Sequence, residues 1–294
     1  MAANEARRDL AQKLKLERLL AEDMRRFNVR LGRATVKEYA QTGRTFQASD
    51  MQPELTALLA EHYDRVGPEF SDQITQILPA DIEATDSETE AIAAALAIFF
   101  GTRAPEQSEI ITGTNQRDIQ TSIDTAIAVS QEEAAAGRPQ VRTEIALGVG
   151  AILSRKLRGR VTGIASLETQ APAETAKATE AQVLTFQPPS VTGGSLRETP
   201  VTKEWVTVGD ERVRQAHMLA DSQVVTLNQP FSVGGQLLRW PGDSSLGASA
   251  GNIINCRCSS VIDAQSVFAI RRQRGEEART DRTASEQLLT SLGG

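Results

Sequence analysis

The chain is poor in the residues that do most chemistry. It holds two cysteines, two histidines and two tryptophans, and aromatics make up only 4 % of it. Two cysteines in a C-x-C spacing exclude the disulfide framework of a small secreted domain. Neither GxxxxGK[ST] nor GxGxxG occurs, so nucleotide hydrolysis is not indicated. The longest apolar run, Ala91 to Phe100, is far short of the roughly 20 residues a spanning helix needs. The opening M-A-A-N-E-A-R-R-D-L lacks the apolar core of a signal peptide. The expectation is a chain made in a reducing cytoplasm, with no membrane span.

A net charge of -6 gives no global basic signal of nucleic-acid binding. The charge is uneven, however. Residues 1–33 carry Arg7, Arg8, Lys13, Lys15, Arg18, Arg25, Arg26, Arg30 and Arg33 against five acids. From Asp50 to Glu109 acids dominate, and Arg65 and Arg103 are the only cations. Arg138 to Arg160 is basic again, with Glu144 the lone acid. Such blocks suggest electrostatically directed contacts with partners.

Apolar spacing predicts an amphipathic helix over 4–33, with Leu10, Leu14 and Leu20 near one stripe and Gly32 at its end. A second helix is expected from Pro53 to about Val66, with Gly67-Pro68 breaking the chain and His62 partly exposed. The Ala-rich run 91–100 reads as a buried helix capped by Gly101. A turn at Gly113 then opens the next helix. Gly137-Arg138-Pro139 reads as a loop before a helix carrying Val141, Ile145, Val149 and Ile152. Residues 187–200, with several Pro and Gly, read as a mobile loop. Beyond it, V-T-K-E-W-V-T-V alternates like a strand, Asp210 is placed to cap a helix, and Gly234-Gly235 makes a turn between short strands. The fold class is therefore α+β: a mainly helical N-terminal part followed by a small mixed module.

The rare residues gather in one stretch, Trp205 to Cys258, which holds both tryptophans, both cysteines and His217. Asp210, Arg214 and His217 are spaced i, i+4, i+7, which on a helix is one face. The I-N-C-R-C run would put Cys256 and Cys258 on one side of an extended chain. Three readings of this chemistry stay open. His217, Cys256 and Cys258 could supply three ligands to zinc, with Asp210 or Asp243 as the fourth. A cysteine thiolate could pair with His217, oriented by Asp210, as a nucleophile. Or the polar cluster could stitch a sheet to a helix, with the cysteines as small buried side chains.

The ordered pattern formed by Trp205, Asp210, Arg212, Arg214, His217, Phe231, Gly235, Pro241, Asp243, Asn255, Cys256, Arg257 and Cys258 resembles the C-terminal signature of the phage Mu F-like minor head proteins, also called phage head morphogenesis proteins. R-V-T-G-I-A-S-L-E-T, ending at Thr169, resembles the family's I-A-R-T-E-T box. Ser166 and Leu167 depart from that box, Pro172 interrupts a helix the family keeps continuous, and Ser222 stands where a turn glycine is usual. The resemblance covers roughly residues 108–262.

It implies a minor structural protein of a tailed-phage head, made in the host cytoplasm and located in the virion capsid near the portal. Its partners would be the portal and/or the major capsid or scaffolding protein, and genomic DNA where the protein also acts in packaging or ejection. It implies no enzymatic activity. Two alternatives remain: a DNA-associated protein ejected with the genome, or a metal- or thiol-dependent hydrolase. The implied organisation is a helical docking region (1–107), the helical part of the minor head domain (108–186), the loop 187–200, the signature module (201–262) and a polar tail (263–294).

Overall fold

The computed structural model describes residues 2–185 and 201–275. The loop expected over 187–200 lies outside the described residues, as does the tail beyond 275. The protein is α+β. Four long helices come first: α1 (Ala2–Thr42), α2 (Gln52–Phe70), α3 (Asp86–Ala135) and α4 (Arg142–Thr185). Short elements follow: β1 (Thr202–Val206), α5 (Gln215–Ala220), β2 (Val224–Thr226), β3 (Phe231–Val233), β4 (Gln236–Leu238), α6 (Ala250–Ile253) and β5 (Ser259–Ile262). Residues 264–275 are helical.

The helices overrun the breaks expected of them. Helix α1 continues through Gly32, and α2 runs through Gly67 and Pro68. Helix α3 passes through Gly101, Pro105 and Gly113 without a turn, and α4 carries Pro172 inside it. A mid-helix glycine costs about 1 kcal/mol and a proline about 3. Each long helix buries a row of large side chains, which outweighs those costs. The buried row of α1 shares Leu20 with the expected stripe but leaves Leu10 and Leu14 only half-buried. It runs through Leu16, Leu20, Met24, Phe27 and Leu31, while Leu19 is 40 % exposed.

The chain divides into two compact units. One consists of Gln12–Val66 and Ile98–Thr169, and is wholly helical apart from its connections. Its buried residues include Leu20, Met24 and Phe27 of α1, Leu55, Leu59 and Tyr63 of α2, Ile119 of α3 and Val149 and Leu153 of α4. Helices α1 and α4 come close at Gly150, where a Cβ would lie 2.7 Å from Val36 Cγ2. His62 belongs to this interior and is not partly exposed. Its Nε2 is 2.9 Å from Thr169 Oγ1. Beside it, Tyr63 donates to Glu168 (2.6 Å), which Arg103 also holds (2.9 Å).

The other unit consists of Met1–Ala11, Gly67–Ala97 and the chain from Gln170 onward. Its main sheet has the order β2-β1-β5, all antiparallel, with Trp205 opposite Ser260. A separate hairpin pairs β3 with β4. Its turn is Gly234-Gly235, with φ of 56° and 77°, the left-handed pair a two-residue hairpin requires. Ile74, Ala181, Leu184, Leu227, Ile262 and Val267 form one core cluster. Trp205, Phe231, Val233, Leu238, Cys256 and Cys258 form another.

Candidate metal centre

The second cluster contains the special chemistry. Strand β1 delivers Trp205, fully buried, with its ring edge-on to Phe231 (5.3 Å between centroids) and to His217 (5.5 Å). Helix α5 delivers His217, and the link from α6 to β5 delivers the two cysteines. His217 Nδ1 is 3.4 Å from Cys258 Sγ and 3.5 Å from Cys256 Sγ. The three donor atoms lie within 4.8 Å of one another, and all three residues are buried. A hydrogen bond with Cys258, and then the imidazole of His217, hold the Cys256 thiol well below the usual thiol range against the opposing effect of burial. Two buried thiols, that of Cys256 poised to ionise, beside an imidazole are the donor set of a borderline-soft cation. His217 Nε2 and Trp205 Nε1 are buried with no hydrogen-bond partner.

The neighbouring signature residues do other work. Asp210 neither caps a helix nor approaches the cluster as a ligand. Both of its oxygens take the guanidinium of Arg257 at 2.6 Å, and Oδ1 also accepts the Arg212 amide. With that carboxylate engaged, residues 210–213 make a turn closed by Val213 N to Asp210 O, and α5 starts only at Gln215. The i, i+4, i+7 face expected for Asp210, Arg214 and His217 therefore does not form, nor does a cysteine–His217–Asp210 triad. Arg214 donates to the Ile254 carbonyl. Asp243 is buried but folds its own turn, accepting the amides of Arg239 and Ser245 at 2.9 Å. Asn255 is exposed, and its part is conformational: φ is 55°, a value asparagine tolerates better than most residues.

Sequence reasoning missed the support beneath the cysteines. Gln170, Glu174 and Lys177 follow one another at i, i+4, i+7 along α4 and are all buried. Gln170 donates to the Cys258 carbonyl at 3.0 Å. Glu174 accepts from the Ser259 and Ser260 hydroxyls. Lys177 reaches Asp9 (2.8 Å), Glu174 (3.0 Å), Ser259 Oγ (2.9 Å) and the Ser260 carbonyl (2.7 Å). Burial disfavours its charge, yet the two carboxylates win and hold its pKa above the usual lysine value. The signal was present as three polar residues on one face of an Ala-rich helix.

No family model, curated protein or solved structure matches the chain.

Proposed function

We propose that this chain is a minor structural protein of a tailed-phage head, docked near the portal and acting in head assembly. One observation carries the reading. The residues through which the chain resembles the Mu F-like minor head proteins act on one another as structural partners. Trp205, Phe231, His217, Cys256 and Cys258 share a core, and Arg257 clamps Asp210. Cys256 and Cys258 are 3 % and 2 % exposed, which leaves a substrate no approach to either sulfur. A cluster arranged this way specifies a shape and does not turn over a substrate.

The same cluster is proposed to hold structural zinc. A tetrahedral ion with Zn–S near 2.3 Å and Zn–N near 2.0–2.1 Å sets a nitrogen-to-sulfur edge of about 3.6 Å. The two edges here are 3.4 and 3.5 Å. Among the described residues three ligands converge, so the fourth position falls to a water enclosed with the ion.

The genome-bound alternative is weakened by the basic run at 155–160. Lys156 and Arg160 both face Asp118, at 3.6 and 2.9 Å, and are partly neutralised within the protein. The test of the main reading is composition: the protein should co-purify with portal protein in proheads. Its absence from both proheads and virions would sink the proposal.

A further inference from the structure

Within the helical unit, α1 and α4 leave an open groove of about 600 Å³. Its floor is apolar: Val29, Val36, Leu157 and Val161, with Gly32 and Gly150 keeping it low. Val29 is 52 % exposed, a large cost for a valine with nothing over it. Arg25, Arg33, Lys37 and Arg158 also line the groove, and no carboxylate does. Arg158 donates to Ser154 Oγ at 2.8 Å; among the described residues none of the four cations has an ion pair.

The spacing of the lining is informative. On α1 the positions 25, 29, 32, 36 and 40 follow one another by three or four residues. On α4, 150, 154, 157 and 161 do the same. Two helices that present such rows side by side form the seam of a helical bundle, with holes for the knobs of one more helix. From residue 25 to residue 40 the seam is about 22 Å long at 1.5 Å per residue. A cavity of about 600 Å³ drawn out over that length has room for a row of side chains.

We infer that this groove is the docking site for an acidic amphipathic α-helix of about four turns from a partner protein. Its leucine-like residues would enter the holes between α1 and α4. Its carboxylates would meet Arg25, Arg33, Lys37 and Arg158. A concave, elongated seam suits a helix better than a flat lipid surface, and cations on its walls reject a basic partner. The inference goes beyond membership of a phage head and does not depend on it.

The experiment uses the purified full chain and a fluorescent peptide of about five helical turns, with leucine at the a and d positions and glutamate at e and g. Binding should be micromolar at low salt and weaken about tenfold or more towards 0.5 M salt, a range chosen so that the Debye length shrinks to about 4 Å. Gly32→Leu should abolish it. A Cβ at Gly32 meets nothing within 4 Å, so this variant fills the groove while the helix tolerates it or gains stability. Lys37→Glu, at an exposed position, should weaken binding about tenfold. The proposal is overturned if the glutamate peptide does not bind, or if a lysine-for-glutamate peptide binds equally well. It is also overturned if binding survives Gly32→Leu, or if the groove takes up decanoate while refusing the peptide.

Discussion

Lys177 Nζ lies 2.8 Å from Asp9 Oδ2, although 168 positions separate the two residues in the chain. Both are buried, and Glu174 completes the charge cluster. Removing the cation takes from two buried carboxylates the positive charge that both of them face. Lys177→Met should therefore cost about 3–5 kcal/mol, the usual result of breaking a buried pair from one side. Urea denaturation followed by circular dichroism measures it. A double variant with Asp9→Asn should recover part of the loss, because one of the two buried negative charges goes with the cation.

His62 makes stability depend on pH. Burial, and then the Arg65 guanidinium, push its pKa down to about 4 from 6.5, with Asp23 opposing weakly. The folded value lies below the unfolded one, so between them the unfolded chain binds more protons. The contribution is intact above about pH 6.5 and is lost as pH falls towards 4, by up to about 3 kcal/mol. In His62→Gln that part of the slope should disappear. If the mutant and the parent lose stability in parallel over this window, His62 is not the group responsible.

Zinc should be recovered in stoichiometric amount when the protein is prepared without chelators. His217→Ala and Cys258→Ser should each lose it. Stripping the metal should lower the melting temperature of the parent and leave those variants unmoved, since binding energy at such a site is folding energy. Elemental analysis alongside thermal scans checks both points. A metal-free protein with an unchanged melting temperature would leave the cluster as packing alone.

Ser222 sits in the left-handed region, with φ of 61°. A residue with a Cβ pays about 1–2 kcal/mol there, and glycine does not. Ser222→Gly should raise stability by about 1 kcal/mol in the same denaturation experiment.

Local rules made much of the small module legible. Alternating Val, Thr and Trp marked β1, and the paired glycines marked the β3–β4 turn. The gathering of His217, Cys256 and Cys258 could be seen because rare residues stand out in an aromatic-poor chain. What could not be read was decided at long range. Asp210 looked like a cap until Arg257, 47 residues on, took its carboxylate. Gly101 and Gly113 looked like helix ends because their cost is local, while the burial that overrides it comes from other helices. His62 looked like a surface residue between Glu61 and Asp64, and only its partner Thr169, 107 residues away, shows why it is inside.

The pairing of Asp9 with Lys177 and the serines of β5 also fixes an order of events during synthesis. Residue 9 leaves the ribosome early, and residues 259–260 emerge some 250 positions later. Until then Lys177 and Asp9 have no closed cluster to enter, and β1 lacks its neighbour β5. The four long helices can form as they emerge, since their hydrogen bonds are local. The signature module cannot be completed before nearly the whole described chain is available. A nascent chain stalled short of Ser259 should therefore show helices without the β1–β5 ladder, and its Trp205 should remain open to solvent.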